Sequence, residues 1–351
     1  MSHDWWRPEQ IGRRRGNLEV RATTRRTLRE WFVSQDFLEV ETPALQQSPG
    51  MEPHLAAFAT RLLPPGGFGV TGETGTPRYL HTSPEFAMKK LLAGGLERIW
   101  QICPVFRNAE GSALHSPEFS MLEWYRADRT YDALMEDSAA ILSVTAKAAS
   151  ATALTRGEST CDPFAEPERL SVADAFGQFC DIDLTAILSE DPEDPPTEPL
   201  VAAAKGLGIR TDRRDLFEDL FFRIMDARIE PNLGMGRACL LYDYPISMAA
   251  LARRKPGSDL WAERVELYVC GVELANGFSE LTDAEEQRAR FDWDMALKRK
   301  LYGVAYPVDE SFLDALSQMP QAAGMAMGFD RLVMLLTGAE RINDVLWAPV
   351  E

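Results

Sequence analysis

Between Phe106 and Phe119 the chain reads FRNAEGSALHSPEF: an arginine, a small and polar middle, then HSPEF running straight into the apolar SMLEWY. On one side RIWQICPVF (98–106) has the apolar content of a strand, and on the other FSMLEWYRA (119–127) has it too. Strand, loop, strand predicts an antiparallel hairpin with Arg107 at one lip. What that arginine holds is the question the rest of the chain answers.

Outward from the hairpin, TSPEFAMKKLLAGG (82–95) reads as a capped helix. Thr82 or Ser83 is the N-cap, Pro84 lies in the first turn, Glu85 follows early, and Gly94–Gly95 is the stop. Residues 18–37 predict a helix with Leu18, Ala22, Leu28, Trp31 and Phe32 on its apolar face and arginines elsewhere. Eight arginines fall between Arg7 and Arg29, which suits a solvated helix face or a docking surface for an acidic partner. FLEVETPAL (37–45) alternates as a half-buried strand does up to Pro43. LPPGGFGVTGETGTP (63–77) matches G-x-G-x-x-G at Gly67, Gly69 and Gly72. Pro64 and Pro65 stand where a strand should precede it, so a turn-rich hairpin loop is expected rather than a dinucleotide site.

The middle of the chain predicts surface linkers at TRGESTCDPFAEPER (155–169) and SEDPEDPPTEP (189–199). Between them and the last third, Leu216, Phe217, Leu220, Phe221, Ile224 and Met225 form a packing helix that Pro231 ends. Strands return at ERVELYVCGVELANGF (263–278). A helix follows through 283–303, and GMAMGFDRLVMLLTG (324–338) predicts a small-residue strand entering an apolar helix stopped by Gly338.

With 351 residues the chain can bury a full core. A formal charge of -17 argues against broad nucleic-acid binding, which depends on phosphate contacts. Five scattered cysteines without a C-x-x-C pair, and four histidines, favour reduced core thiols over a zinc cluster. No apolar leader or membrane-length run is present, so a cytoplasmic protein is expected.

Four clusters could carry chemistry: Ser83 with Glu85; Arg107 with His115 and Phe119; Glu266, Glu273, Asn276 and Glu280; and Gly328 with Arg331. Arginines and carboxylates converging on one sheet suit a polyphosphate with Mg²⁺ beside an amine-bearing substrate. Each residue also has a plainer reading. On that reading Glu85 serves only the helix dipole, Arg331 the surface, and Asn276–Gly277 a turn. A spacing of seven puts Glu266 and Glu273 on opposite faces of one strand unless a turn or bulge near Gly271 intervenes.

The order of the pieces adds a resemblance. FLEVETPAL, FRNAE…HSPEF and GMAMGFDRL, with TSPEFAMKKLL, MLEWY and GVELANGFSEL between them, resemble the catalytic core of class II aminoacyl-tRNA synthetases of the lysyl type. The resemblance runs from about residue 21 to the C-terminus and is weakest over 150–231. It implies an α+β fold, a mainly antiparallel sheet flanked by helices, in a single catalytic domain over 1–351. Residues 150–235 would be a helical and linker insertion. The first motif starts within forty residues, leaving no room for an N-terminal anticodon-binding barrel, so anticodon-type tRNA binding is not expected. In that respect the chain is similar to the ligases that attach (R)-β-lysine to elongation factor P, and Ala326, where the tRNA enzymes usually carry glycine, is similar to theirs.

The resemblance implies roles residue by residue. ATP would be held by Arg107, Asn108, His115, Ser116, Phe119, Glu273, Leu274, Gly328 and Arg331, with Arg107 on the α-phosphate, Arg331 on the γ-phosphate and Phe119 under adenine. Mg²⁺ would be held by Glu266 and Glu273. Ser83 and Glu85 would face the amino group near the substrate carboxylate, and Glu123, Tyr125, Asn276 and Glu280 the distal ammonium of lysine or β-lysine, with Ala326 shaping the site. A homodimer through the Pro43 segment is implied as well. Two positions depart from the family pattern: Ala109 stands where glutamate is usual, and Ser116 where asparagine is. An ammonia-using amide synthetase on the same fold, and a catalytically silent paralogue acting as a binding protein, are the competing expectations.

Overall fold

The computed structural model describes residues 4–67 and 75–350; Gly69 and Gly72 of the glycine-rich loop lie outside them. Its centre is an eight-stranded sheet. In chain order the strands are β1 (Leu38–Glu39), β2 (Arg98–Phe106), β3 (Glu118–Ala127), β4 (Glu168–Ser171), β5 (Cys239–Pro245), β6 (Trp261–Val269), β7 (Val272–Ser279) and β8 (Ala322–Gly328). Across the sheet they run β1-β2-β3-β8-β7-β6-β5-β4, antiparallel except for the outermost pair at each edge. The helices that matter to the site are α1 (Pro8–Ser34), α2 (Glu85–Ala93), α3 (Tyr131–Ala148), α4 (Phe217–Ile224), α5 (Ala284–Tyr302) and α6 (Phe329–Thr337). None of the described helices is long and apolar enough to cross a membrane.

The period-two alternation of strands divides the sheet into two chemically different faces. On β3, Leu122 and Trp124 point into the main core with Leu28 and Phe32 of α1, Leu134 and Met135 of α3, and Leu332 and Val333 of α6. Their alternates Met121, Glu123 and Tyr125 point the other way and line a cavity. Strand β8 does the same, with Ala323, Met325 and Met327 in the core. Phe32 stacks on Trp100 at 4.5 Å and 9°, a contact of about 0.5–1.5 kcal/mol beyond its buried area. A second apolar core gathers around Phe176, Leu220, Phe221 and Tyr244 over 170–268.

Several expectations are corrected. Helix α1 starts at Pro8, ten residues before Leu18, because proline suits a first helical turn. Its inner face uses Arg14 and Arg21 while Ala22 is exposed. Arg14 donates to the carbonyls of Asn343 and Leu346, and Arg21 pairs with buried Asp330, so these two arginines anchor the helix to the C-terminal segment. The strand expected up to Pro43 is reduced to the two-residue β1, and a separate strand, Leu45–Gln46, starts after it; between them Val40 N–H still donates to Trp100 O (2.9 Å) and Thr42 N–H to Gln101 Oε1 (3.2 Å). The 155–169 stretch holds strands at Leu154–Arg156 and Ser159–Asp162 and leads into β4, because its turn residues are spaced for short strands. Leu216 is the exposed N-cap of α4 and no part of its apolar face. At α2 the N-cap position belongs to Pro84, while Ser83 Oγ accepts from Glu85 N–H at 3.1 Å.

The β6–β7 hairpin settles the spacing of the acids. Cys270 (φ 52°) and Gly271 (φ 67°) form a two-residue left-handed turn of the kind that matches strand twist. It pairs Tyr268 with Glu273, so Glu273 falls on the face of Glu266. A register shift then leaves Leu274 unpaired and puts Asn276, opposite Glu266, on that face as well.

Candidate active site

Two cavities open on the polar face of the sheet, about 190 and 250 Å³. The first is lined by Ser83, Glu85, Glu123, Tyr125 and Phe278, the second by His115, Ser116, Phe119, Glu273 and Arg331. Four residues line both: Arg107, Met121, Asn276 and Ala326. Arg107 therefore stands in the common wall.

Strand pairing sets Arg107 there. Leaving β2, its N–H donates to Pro117 O at 2.9 Å, which closes the loop, and its guanidinium lies over the Phe119 ring at 5.2 Å. Glu110 Oε1 is 4.0 Å away, and Arg107 Nε is buried with no partner. Burial holds the guanidinium below its ordinary value, opposed by Glu110 and Glu273. A buried donor without a partner, in a cavity wall, is built for an anion. Ala109 sits at φ 64°, a left-handed conformation uncommon for a residue with a side chain.

His115 and Arg331 form one unit. Arg331 Nη2 donates to His115 Nε2 at 2.7 Å, so Nε2 must accept and the imidazole proton lies on Nδ1, facing Ser112 Oγ at 2.7 Å. Burial, then Arg331, push the His115 pKa down, which favours this neutral form. The other arm, Nη1, donates to Glu273 O at 2.7 Å. Ser116, Leu274 and Gly328 join the same cavity, but Asn108 does not: its Oδ1 accepts from Ala109 N–H at 2.9 Å.

Glu273 is raised by burial and then by Glu266, against the pull of Arg331, Arg264 and Arg107. Both Glu266 oxygens are engaged, Oε1 by Arg264 and Oε2 by the Tyr268 hydroxyl, each at 2.8 Å. No group of three or more metal-ligating side chains exists among the described residues. Of the two carboxylates only Glu273 lines the second cavity, which still fits Mg²⁺, a cation that binds proteins through one or two carboxylates and takes its other ligands from phosphate and water. The donor set suits a cation arriving with a nucleotide. Glu230, pushed up to about 7 by burial and then by Asp226, Glu266 and Glu273, is a further acid of this corner that the sequence did not single out.

On the amine side, Glu123 accepts from Ser83 Oγ (2.6 Å) and from the Tyr125 hydroxyl (3.1 Å). Glu85 and Glu280 share one cation, Lys89, whose Nζ is 2.6 and 2.5 Å from them. Burial opposes the Lys89 charge, but Glu280 and Glu85 more than offset it and raise its pKa. Glu123 is pushed up to about 8 by burial and then by Glu85; Glu280 is pushed to about 8 by burial against the pull of Lys89. Glu85 and Glu123 line the cavity and Glu280 is tied to Glu85 through Lys89, so more acid gathers here than one lysine neutralises, and a bound ammonium would favour the ionised carboxylates. Asn276 is held by Arg264, whose Nε donates to its Oδ1 at 3.2 Å.

Sequence reasoning missed Lys89, Arg264 and Gly324. Lys89 had a signal: it follows Glu85 by four positions on a helix, the spacing of a pair on one face. Arg264 had a weaker one, two residues before Glu266 on one strand. Gly324 had none. A Cβ there would lie 2.2 Å from the Tyr125 ring and 2.6 Å from Glu280 Oε1, so only glycine leaves space for the acids.

With this geometry the comparisons with known proteins agree. The family model described as tRNA synthetases class II (D, K and N) matches residues 10–351. Similar proteins include the elongation factor P (R)-β-lysine ligase of Sodalis glossinidius, 38% identical over 337 residues, 95% of each chain. The ligases of that name from Erwinia tasmaniensis (39%, 94% of each chain) and Vibrio cholerae (36%, 99% of this chain and 98% of the other) are alike in extent. The chain belongs to the class II tRNA synthetase family of the D, K and N group.

Proposed function

We propose that the protein is an ATP-dependent, AMP-forming ligase that activates (R)-β-lysine as its adenylate and transfers it to a lysine ε-amine of elongation factor P. One observation carries the reading: Arg107 stands in the wall shared by an anion-suited cavity and an acid-lined one. There the amino-acid carboxylate meets the α-phosphate. Attack forms the acyl–phosphate bond and releases pyrophosphate, and Arg107 neutralises charge on the phosphorus oxygens. Arg331, oriented by His115 and the Glu273 carbonyl, meets the far phosphate of the bent nucleotide, while Phe119 underlies the base. Mg²⁺, held by Glu273 with Glu266, would supply charge neutralisation of the polyphosphate. In the second step the acceptor amine attacks the acyl carbon, the acyl–phosphate bond breaks, and AMP leaves with its electron pair.

Glu85, Glu123, Tyr125 and Glu280 hold the substrate ammonium groups, with Ser83 fixing Glu123 and Asn276 and Ala326 closing the wall. An acid-lined pocket repels a second carboxylate, which disfavours an aspartate-activating amide synthetase. The relatives' names and the net charge of -17 support a protein acceptor over tRNA. Work in the cytoplasm as a homodimer through the Pro43 segment completes the proposal; Val33 and Leu38, 63% and 53% exposed, supply apolar surface next to that segment.

ATP–pyrophosphate exchange with (R)-β-lysine, α-lysine and aspartate tests it. Exchange led by (R)-β-lysine is expected. Exchange with aspartate alone would replace the reading with the amide synthetase, and no exchange with any of the three would leave a binding protein.

A further inference from the structure

Glu85 and Glu123 occupy one side of the first cavity, and different residues build the other. Helix α5 turns Gln287, Phe291 and Asp294 toward it, a spacing of four and then three that keeps them on one helix face. Gln287 is 1% exposed, yet neither its amide nitrogen nor its amide oxygen has a hydrogen-bond partner. A buried amide left without partners is costly, so this one awaits a polar visitor. Glu52, from the segment between β1 and α2, lines the same cavity and is exposed to solvent.

Acids outnumber cations on this side, where Arg290 acts on Asp294 and Lys298 on Glu52. Asp294 is pushed up to about 7, by burial first and then by Glu52 and Glu218 of α4, with Arg290 pulling the other way. Glu218 is itself raised by burial and by Glu52, against His54 and Arg264. Among the described residues none of these three carboxylates takes part in an ion pair, whereas Glu85 and Glu280 share Lys89. Carboxylates together with an unsatisfied amide oxygen complement one ligand chemistry, the three N–H donors of a primary alkylammonium.

We propose that Gln287, Asp294 and Glu52 form the subsite that receives the lysine ammonium of the acceptor protein on its way to the adenylate. The inference rests on the functional reading above and deepens it. Two features separate this ammonium from those of the amino acid being activated. The amino acid has Glu85, Glu123 and Tyr125 of the cavity wall, with Glu280 tied to Glu85 through Lys89, and Glu52 puts the new subsite on the solvent side. A side chain tethered to a second protein can arrive only from there.

The test separates the two half-reactions. Enzyme loaded with (R)-β-lysine and ATP is mixed with elongation factor P, and single-turnover amide formation is followed against acceptor concentration. Hydroxylamine, a neutral nucleophile, serves as the control acceptor. Asp294→Asn and Glu52→Gln should each raise the half-saturating acceptor concentration about fivefold, the effect of one partly exposed charge contact. Exchange and hydroxylamine capture should stay within about twofold of the unaltered protein. In the unaltered protein half-saturation should also rise as pH falls from 8 to 6, when Asp294 takes up its proton beside Glu52, Glu218 and Arg290; Asp294→Asn should flatten that dependence. Unchanged acceptor saturation in both variants overturns the subsite. A parallel fall in exchange also overturns it, by returning these residues to the amino-acid site. If the unaltered protein shows no exchange, the functional reading fails, and the subsite with it.

Discussion

Arg107 lines both cavities, and in the proposed reaction both half-sites depend on it. Arg107→Ala should lower exchange by about 10²–10³-fold, the usual loss for a donor aimed at developing charge. Its Tm should change little, because the chain direction is held by the Arg107 backbone bond to Pro117 O rather than by the guanidinium. Retention of near-normal exchange would remove it from the phosphate site. Glu123 gives a pH signature. Its folded pKa of about 8 lies above the ordinary glutamate value near ~4.3, so the folded protein keeps a proton that the unfolded chain loses. The associated stability is complete below the unfolded value and is lost as pH rises to about 8. Glu123→Gln should therefore gain Tm relative to the unaltered protein between pH 5 and pH 8, while losing affinity for the diamine; a pH-independent difference in thermal melts would contradict the assignment. Ala326, paired with Glu123 on one side and Asn276 on the other, narrows the wall between the cavities. Ala326→Gly should move exchange toward α-lysine, and unchanged selectivity would show that its methyl does not discriminate.

At the scale of elements, the arginine hairpin was readable because its two strands are apolar and its loop is not. β2 spans the expected residues, and β3 begins one residue earlier than the apolar run. Helix α2 was readable from Pro84 and Gly94, although the hydroxyl expected to cap it serves Glu123 as well. The buried arginines of α1 were not readable, since a charge is buried only when a distant partner arrives. That partner is Asp330, 309 residues away, whose other oxygen accepts from Ser120 N–H at 2.7 Å. Asp330→Ala should cost about 3–5 kcal/mol in urea melts, because it strands a buried guanidinium. A cost below 1 kcal/mol would mean that Arg21 finds water instead.

At the scale of the whole molecule, the proposed dimer is tested by light scattering. The unaltered protein should have the mass of two chains, and Val33→Asp with Leu38→Asp should give the mass of one; a monomeric unaltered protein would end the proposal. What the sequence by itself determined was the type and order of local elements and which motifs could carry chemistry, because helical and strand periods, caps and turns act over a few residues. It also carried Glu85, Glu123 and Glu280 as candidate acids. Only the tertiary structure decided their partners. The Cys270–Gly271 turn and the unpaired Leu274 put Glu266, Glu273 and Asn276 on one face, Lys89 joined Glu85 to Glu280, and β8 came between β3 and β7 with Gly324 where a methyl could not fit. The physical reason is range: charge pairing and steric exclusion act between atoms within a few ångströms, and those atoms come from segments far apart in sequence, such as Lys89 and Glu280 or Arg21 and Asp330.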